Sequence, residues 1–170
     1  MHGRYYIKDI VYGANDGIIT TFAIVSGVIG AGLSVRTVLI IGIASLAADA
    51  FSMASSSYLG SASERAAFPR VRDEGIVERH TNPLTAALIT FVSFVVAGSV
   101  PLLPYVFFRE DGFVFFCTAG VTGLALFFVG ALRSHFTHRG FMASGAEMFV
   151  VGGIAASIAF TLGKVISILT

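Results

Sequence analysis

Long, almost uncharged runs alternate with short polar breaks along the chain. Apolar stretches fall at about 11–33, 37–60, 84–106, 113–132 and 146–168, each near the ~20 residues that carry an α-helix across a hydrocarbon core. The second is interrupted by Asp49, the third holds Pro101 and Pro104 near its end, and the fifth is bounded by Glu147 and Lys164. This pattern predicts an all-α membrane protein of five spans in one transmembrane domain, residues 1–170. The polar segment from Ser63 to Pro83, within the expected linker 61–83, is too short for a core of its own.

The first run tests that reading. Asn15-Asp16-Gly17 between apolar residues is a hairpin-turn signal, yet no charge follows between Gly17 and Val35. A turn does not explain a run of that length. Arg4 and Lys8 ahead of it resemble a secretory signal, but the run exceeds a signal's apolar core and contains an aspartate, so it is read as a retained span.

With five spans the termini lie on opposite sides, and the basic residues choose the orientation. A cytoplasmic N-terminus gathers Arg4, Lys8, Arg65, Arg70, Arg72, Arg79, Arg133 and Arg139 on one side and leaves Arg36, Arg109 and Lys164 on the other. The N-terminus is therefore expected inside and the C-terminus outside. With 55% hydrophobic and 12% charged residues and a mean hydropathy of +0.85, the chain is too apolar for an average soluble domain. The net charge of +1 comes without any long basic block, so nucleic acid is not an expected partner. The single cysteine, Cys117, excludes an internal disulfide.

Chemistry enters through residues that do not belong in lipid. A carboxylate at mid-membrane costs on the order of 3 kcal/mol even on the mild insertion scale, and it usually marks a pathway. Asp9, Tyr12 and Asp16 share a face of the first helix; Ser45, Asp49, Met53, Ser56 and Gly60 share a face of the second. The plainer alternative is that Asp16 caps the first helix at the interface. Asp49 followed one turn later by the Met53 thioether pairs hard and soft donors, which shifts preference from Mg2+ or Ca2+ toward Fe2+, Co2+ or Zn2+, with Mn2+ still accommodated. Gly13, Gly17, Gly27 and Gly30 predict close approach of other helices. His135 and His138 are read as a solvated turn, and Glu147 as either a helix cap or the partner of an arginine. Glu64, Asp73, Glu74 and Glu78 are read as a solvated face able to gather cations at an entrance. No nucleophile, phosphate loop or redox-cofactor motif is present, so neither an enzyme nor a resident cofactor is expected.

The stretches "DIVYGANDGIITTFAIVSGVIGAG" (9–32) and "GIASLAADAFSMASSSYLGSASE" (42–64) resemble the vacuolar iron transporter family, Fe2+/Mn2+ transporters of plant and fungal vacuoles with short prokaryotic relatives. "VPLLPY" (100–105) and "SGAEMFVVGGIAA" (144–156) are similar to the same family's third and fifth spans. The resemblance implies a five-span homodimer with its path along the two-fold interface, exporting cytosolic divalent metal in exchange for protons. Asp16 matches the family's first-span aspartate, Met53 its second-span methionine, and Asp9 the acid before the first. Tyr5 and Ser45 stand where plant members carry acids; Asp49 is expected to replace the latter. Ser63 to Pro83 has no counterpart of the glutamate-rich cytoplasmic metal-binding domain, which leaves Glu64 as the expected entrance acid. The short form implies a prokaryotic plasma membrane, with a vacuolar membrane as the alternative. Two other readings remain open on the residues alone: a passive divalent-cation channel, and a non-transporting assembly or sensor subunit.

Overall fold

The structure, a computed structural model, describes residues 6–67, 82–108, 113–137 and 140–170, with the backbone alone at 135–137. Its helices are α1 (Ile7–Gly30), α2 (Val35–Ala67), α3 (Pro83–Gly98), α4 (Leu103–Phe107), α5 (Phe113–Thr137) and α6 (Phe141–Leu169). No strand occurs among the described residues. A 3-10 turn, Val100–Leu102, joins α3 to α4, and the two together form one interrupted span. Five segments are thus long and apolar enough to cross a membrane.

Local chemistry sets most of the helix ends. α1 closes with paired backbone bonds, from the Gly32 N–H to the Ile29 carbonyl (2.9 Å) and from the Leu33 N–H to the Val28 carbonyl (3.1 Å), with Gly32 at φ +71°. Ser34 then opens α2, its hydroxyl accepting from the Thr37 N–H at 3.3 Å. Asn82 caps α3 by accepting from the Leu84 N–H at 3.1 Å, and Pro83 occupies the first turn, where a missing N–H costs nothing. The Tyr6 hydroxyl accepts from the Asn82 N–H (3.3 Å), which ties the start of α1 to the start of α3. Pro101 and Pro104 cannot continue an α-helical ladder, and the third span breaks there.

Several ends differ from the hydropathy reading. α1 begins at Ile7 rather than near 11, because Ile7, Ile10 and Val11 extend its apolar pattern and Asp9 in the first turn complements the helix dipole. α2 continues through Ala67, into the expected linker, since Ser-Glu-Arg-Ala-Ala suits a helix as well as it suits water. His135 falls inside α5 rather than in a turn; His138 lies outside the described residues.

α1 is the hub. It packs most extensively on α3 and α6 and also touches α2 and α5, while α2 leans on α3 and α5 on α6. Each of its two major contacts is made by glycines. A Cβ on Gly17 would stand 2.5 Å from the Phe94 carbonyl oxygen, and one on Gly13 2.7 Å from that of Thr90, so α3 lies against bare backbone. At the other end, Gly30 meets the Phe160 carbonyl and Gly163 of α6 meets that of Gly27. Val25, Val38, Leu46, Ala50, Phe94, Leu102 and Tyr105 are among the buried core between α1, α2 and α3–α4. Large apolar side chains such as Phe107, Phe116, Leu124 and Ile154 point outward, as lipid-facing positions do.

Candidate cation site

Asp16 lies about two and a half turns into α1. It is not a cap, which removes the plainer alternative for this residue: its carboxylate sits within a span, and it is exposed on the surface of the single chain. Asp49 of α2 is half-buried and is the electrostatic neighbour of Asp16, each carboxylate repelling the other across the two helices. Further toward the N-terminus of α1, half-buried Asp9 faces the Ser57 side chain of α2, with Lys8 as its nearby positive charge. The two pairings, Asp16 with Asp49 and Asp9 with Ser57, run in opposite directions along the two chains, so α1 and α2 present their polar stripes in antiparallel register.

Met53 follows Asp49 by one helical turn, about 6 Å along the axis. Its side chain is half-buried and packs against the core cluster, so the thioether is both packing and a potential donor. Ser45 is half-buried, Ser56 and Gly60 are exposed, and Tyr12 is exposed with Lys8 Nζ 5.7 Å from its ring centroid. Glu64 is exposed in the last turn of α2, outside the Asp16–Asp49 pair. Asp73, Glu74 and Glu78 lie outside the described residues. Glu147 is not a cap: α6 starts at Phe141, and Glu147 Oε2 faces Arg133 Nη1 of α5 at 3.9 Å.

Two partners of the site escape the sequence pattern. Ser57 stands at i+8 from Asp49 and i+4 from Met53, a spacing that marks the same face as readily as Ser56 does. Thr90 of α3 lies behind it, its hydroxyl 3.4 Å from that of Ser57 and 2.9 Å from the Ala86 carbonyl. Asn15 shows a buried side-chain oxygen without a partner among the described residues, on a different face from Asp16.

Among the described residues, no three His, Cys, Asp or Glu side chains gather closely enough to hold a metal ion. One chain supplies two repelling carboxylates and a nearby thioether; a cation there would need further donors, from water or from another chain. α2 leaves Ala44, Ala48, Ser52 and Ser56 exposed beside the pair, a row of small side chains over which a second helix fits closely.

Five apolar spans with carboxylates where the first two meet define the class: an integral, multi-pass membrane protein with an acidic site inside its spans. Within that class the chain belongs to the VIT family, whose profile matches residues 7–75 and 69–164. It is 26% identical over 214 aligned positions to "Vacuolar iron transporter 1" of Arabidopsis thaliana, covering 94% of this chain and 86% of that protein. To "Vacuolar iron transporter" of Plasmodium falciparum it is 27% identical over 223 positions, covering 94% and 82%. A 60-residue stretch is 48% identical to "Vacuolar iron transporter" of Toxoplasma gondii, covering 35% of this chain and 20% of that one. Alignments longer than the 170-residue chain mean that the first two relatives carry inserted segments that it lacks. The two profile matches meet at 69–75, between α2 and α3.

Proposed function

We propose that the protein is a transporter of divalent transition-metal ions, Fe2+ foremost and Mn2+ second, which moves them out of the cytosol in exchange for protons through a path between two copies of the chain. The observation that supports this most directly is the Asp16–Asp49 pair: two carboxylates on adjacent spans, one of them exposed where a lone protomer would meet lipid. A second copy packed over the small-residue row of α2 removes Asp16 from lipid and supplies the same donors again. Four carboxylates and two thioethers then surround one axis.

The exchange follows from charge. Carboxylates held this close repel one another, and either protons or a divalent cation relieves the repulsion, so the two compete for the same oxygens. Metal binding is strongest when the facing compartment is least acidic; protons entering from the other side release it. Met53 favours a borderline ion over Mg2+, and a single weak sulfur per protomer lets that ion leave. Asp9 with Ser57, and Glu64 beyond it, lie along α1 and α2 toward the proposed cytoplasmic mouth. The vacuolar iron transporters to which the chain is similar carry the same substrate in their names. Their additional length is proposed to fall at the junction near 69–75, which leaves this chain to take metal from solution without a dedicated capture domain.

The test is Fe2+ and Mn2+ uptake into proteoliposomes with and without an imposed pH gradient, for the wild type, Asp16→Asn and Met53→Ala. Gradient-dependent uptake that collapses in Asp16→Asn is the expected result. Uptake indifferent to the gradient makes the protein a channel, and absence of any metal-dependent flux rejects the transport reading.

A further inference from the structure

Hydroxyls on membrane helices can bond to their own backbone one turn back. Thr20 donates to the Asp16 carbonyl (2.7 Å), Ser55 to Phe51 (2.8 Å), Thr90 to Ala86 (2.9 Å), Ser157 to Gly153 (2.7 Å) and Thr161 to Ser157 (2.8 Å). Four buried hydroxyls make no hydrogen bond of any kind among the described residues: Ser26 of α1, Tyr105 of α4, and Thr118 and Thr122 of α5. All are buried, at 0%, 3%, 0% and 0% exposure, and none has a hydrogen-bond partner among the described residues.

Three of them stand together. Thr118 and Thr122 are one turn apart on the buried face of α5. The Tyr105 hydroxyl faces that of Thr118 without reaching hydrogen-bond geometry. Ser26 stands apart from these: it lines a cleft of about 520 Å³ with Ala119, Gly123 and Ser157, whose wall leaves out Tyr105, Thr118 and Thr122. The third span breaks at Val100–Leu102, just before Tyr105. Irregular backbone at membrane depth persists where it is enclosed by protein or borders water, and buried polar groups left without protein partners are where internal water binds. Apolar packing cannot meet this demand, whereas one or two water molecules, each able to give and take several bonds, can bridge hydroxyls that do not reach each other directly.

We propose that the interior between α4 and α5 is a water-binding site, in which Tyr105, Thr118 and Thr122 hold bridging water that joins the broken third span to α5. The site belongs to a single chain, is separate from the Asp16–Asp49 pair, and does not depend on the transport reading. Its water adds polar bridges to the packing of α4 on α5.

Radiolytic hydroxyl-radical labelling read by mass spectrometry tests this in the intact protein, because bound water generates radicals beside buried side chains. Tyr105 is expected to be labelled several-fold faster than Phe94, which is buried in the same core cluster but carries no hydroxyl to hold water. Thr118→Val and Thr122→Val are each expected to reduce Tyr105 labelling and to lower the thermal unfolding midpoint by roughly 2–4 °C. A dry site gives the opposite results, with Tyr105 as inert as Phe94 and the valine variants as stable as the wild type or more so, since an unpaired hydroxyl has been removed. Failure of either expectation overturns the proposal. If a valine variant does not fold, wild-type labelling of Tyr105 decides alone.

Discussion

Asp16 and Met53 stand close together in the proposed path but differ in what surrounds them, and that difference separates function from stability. Asp16 is exposed on the single chain and packs on nothing in the core. Asp16→Asn should therefore leave thermal unfolding almost unchanged while abolishing Fe2+ binding measured by calorimetry. Met53 is half-buried against the core cluster. Met53→Ala should cost about 1–2 kcal/mol, less than the ~2–5 of a fully buried methionine, and should weaken Fe2+ more than Mn2+. Equal weakening of both ions would show that the thioether only packs. Asp16 stood out in the sequence as a carboxylate in an apolar run, whereas Met53 drew notice only by standing one turn after Asp49. Ser57 did not stand out: serines at 55, 56 and 57 look alike until the helix phase is fixed, and only then does one of them face Asp9.

At the level of elements, hydropathy locates the bilayer and not the helix. It placed five spans, but α1 and α2 outrun them at Ile7 and Ala67, where polar helix formers continue the ladder into water. The break in the third span was legible because proline acts locally. Glycines foretold close approach without naming the partner: Gly13 and Gly17 meet α3, whereas Gly27 and Gly30 meet α6. Their roles are testable against one another. An added Cβ at Gly17 meets backbone 2.5 Å away, and one at Gly120 meets nothing within 4 Å. Gly17→Ala should destabilise by about 1–3 kcal/mol or more, since α3 must shift as a unit. Gly120→Ala should be neutral or stabilising by up to ~1 kcal/mol. Thermal unfolding in detergent measures both.

For the whole molecule, the packing of helices was beyond the sequence, because every span is apolar on nearly all sides and periodicity carries little signal. The surface of the chain bears on assembly. With Cys117→Ser removing the native thiol, Ser52→Cys on the exposed small-residue row of α2 should cross-link two chains on mild oxidation, and Phe116→Cys on α5 should not. Cross-linking through α5 alone would move the proposed interface to the opposite flank.

The central place of α1 also bears on how the chain is made. Of the five spans it is the least apolar and the most enclosed, so it relies on protein neighbours where the others rely on lipid. One of its two glycine seats is filled by α3, and the other waits for α6, the last span of this sequence. During synthesis α1 is thus left half-covered until α6 follows it into the membrane. A chain halted before α6 would keep the acidic half of α1 against α2 and α3 but leave Gly27 and Gly30 without the helix that covers them.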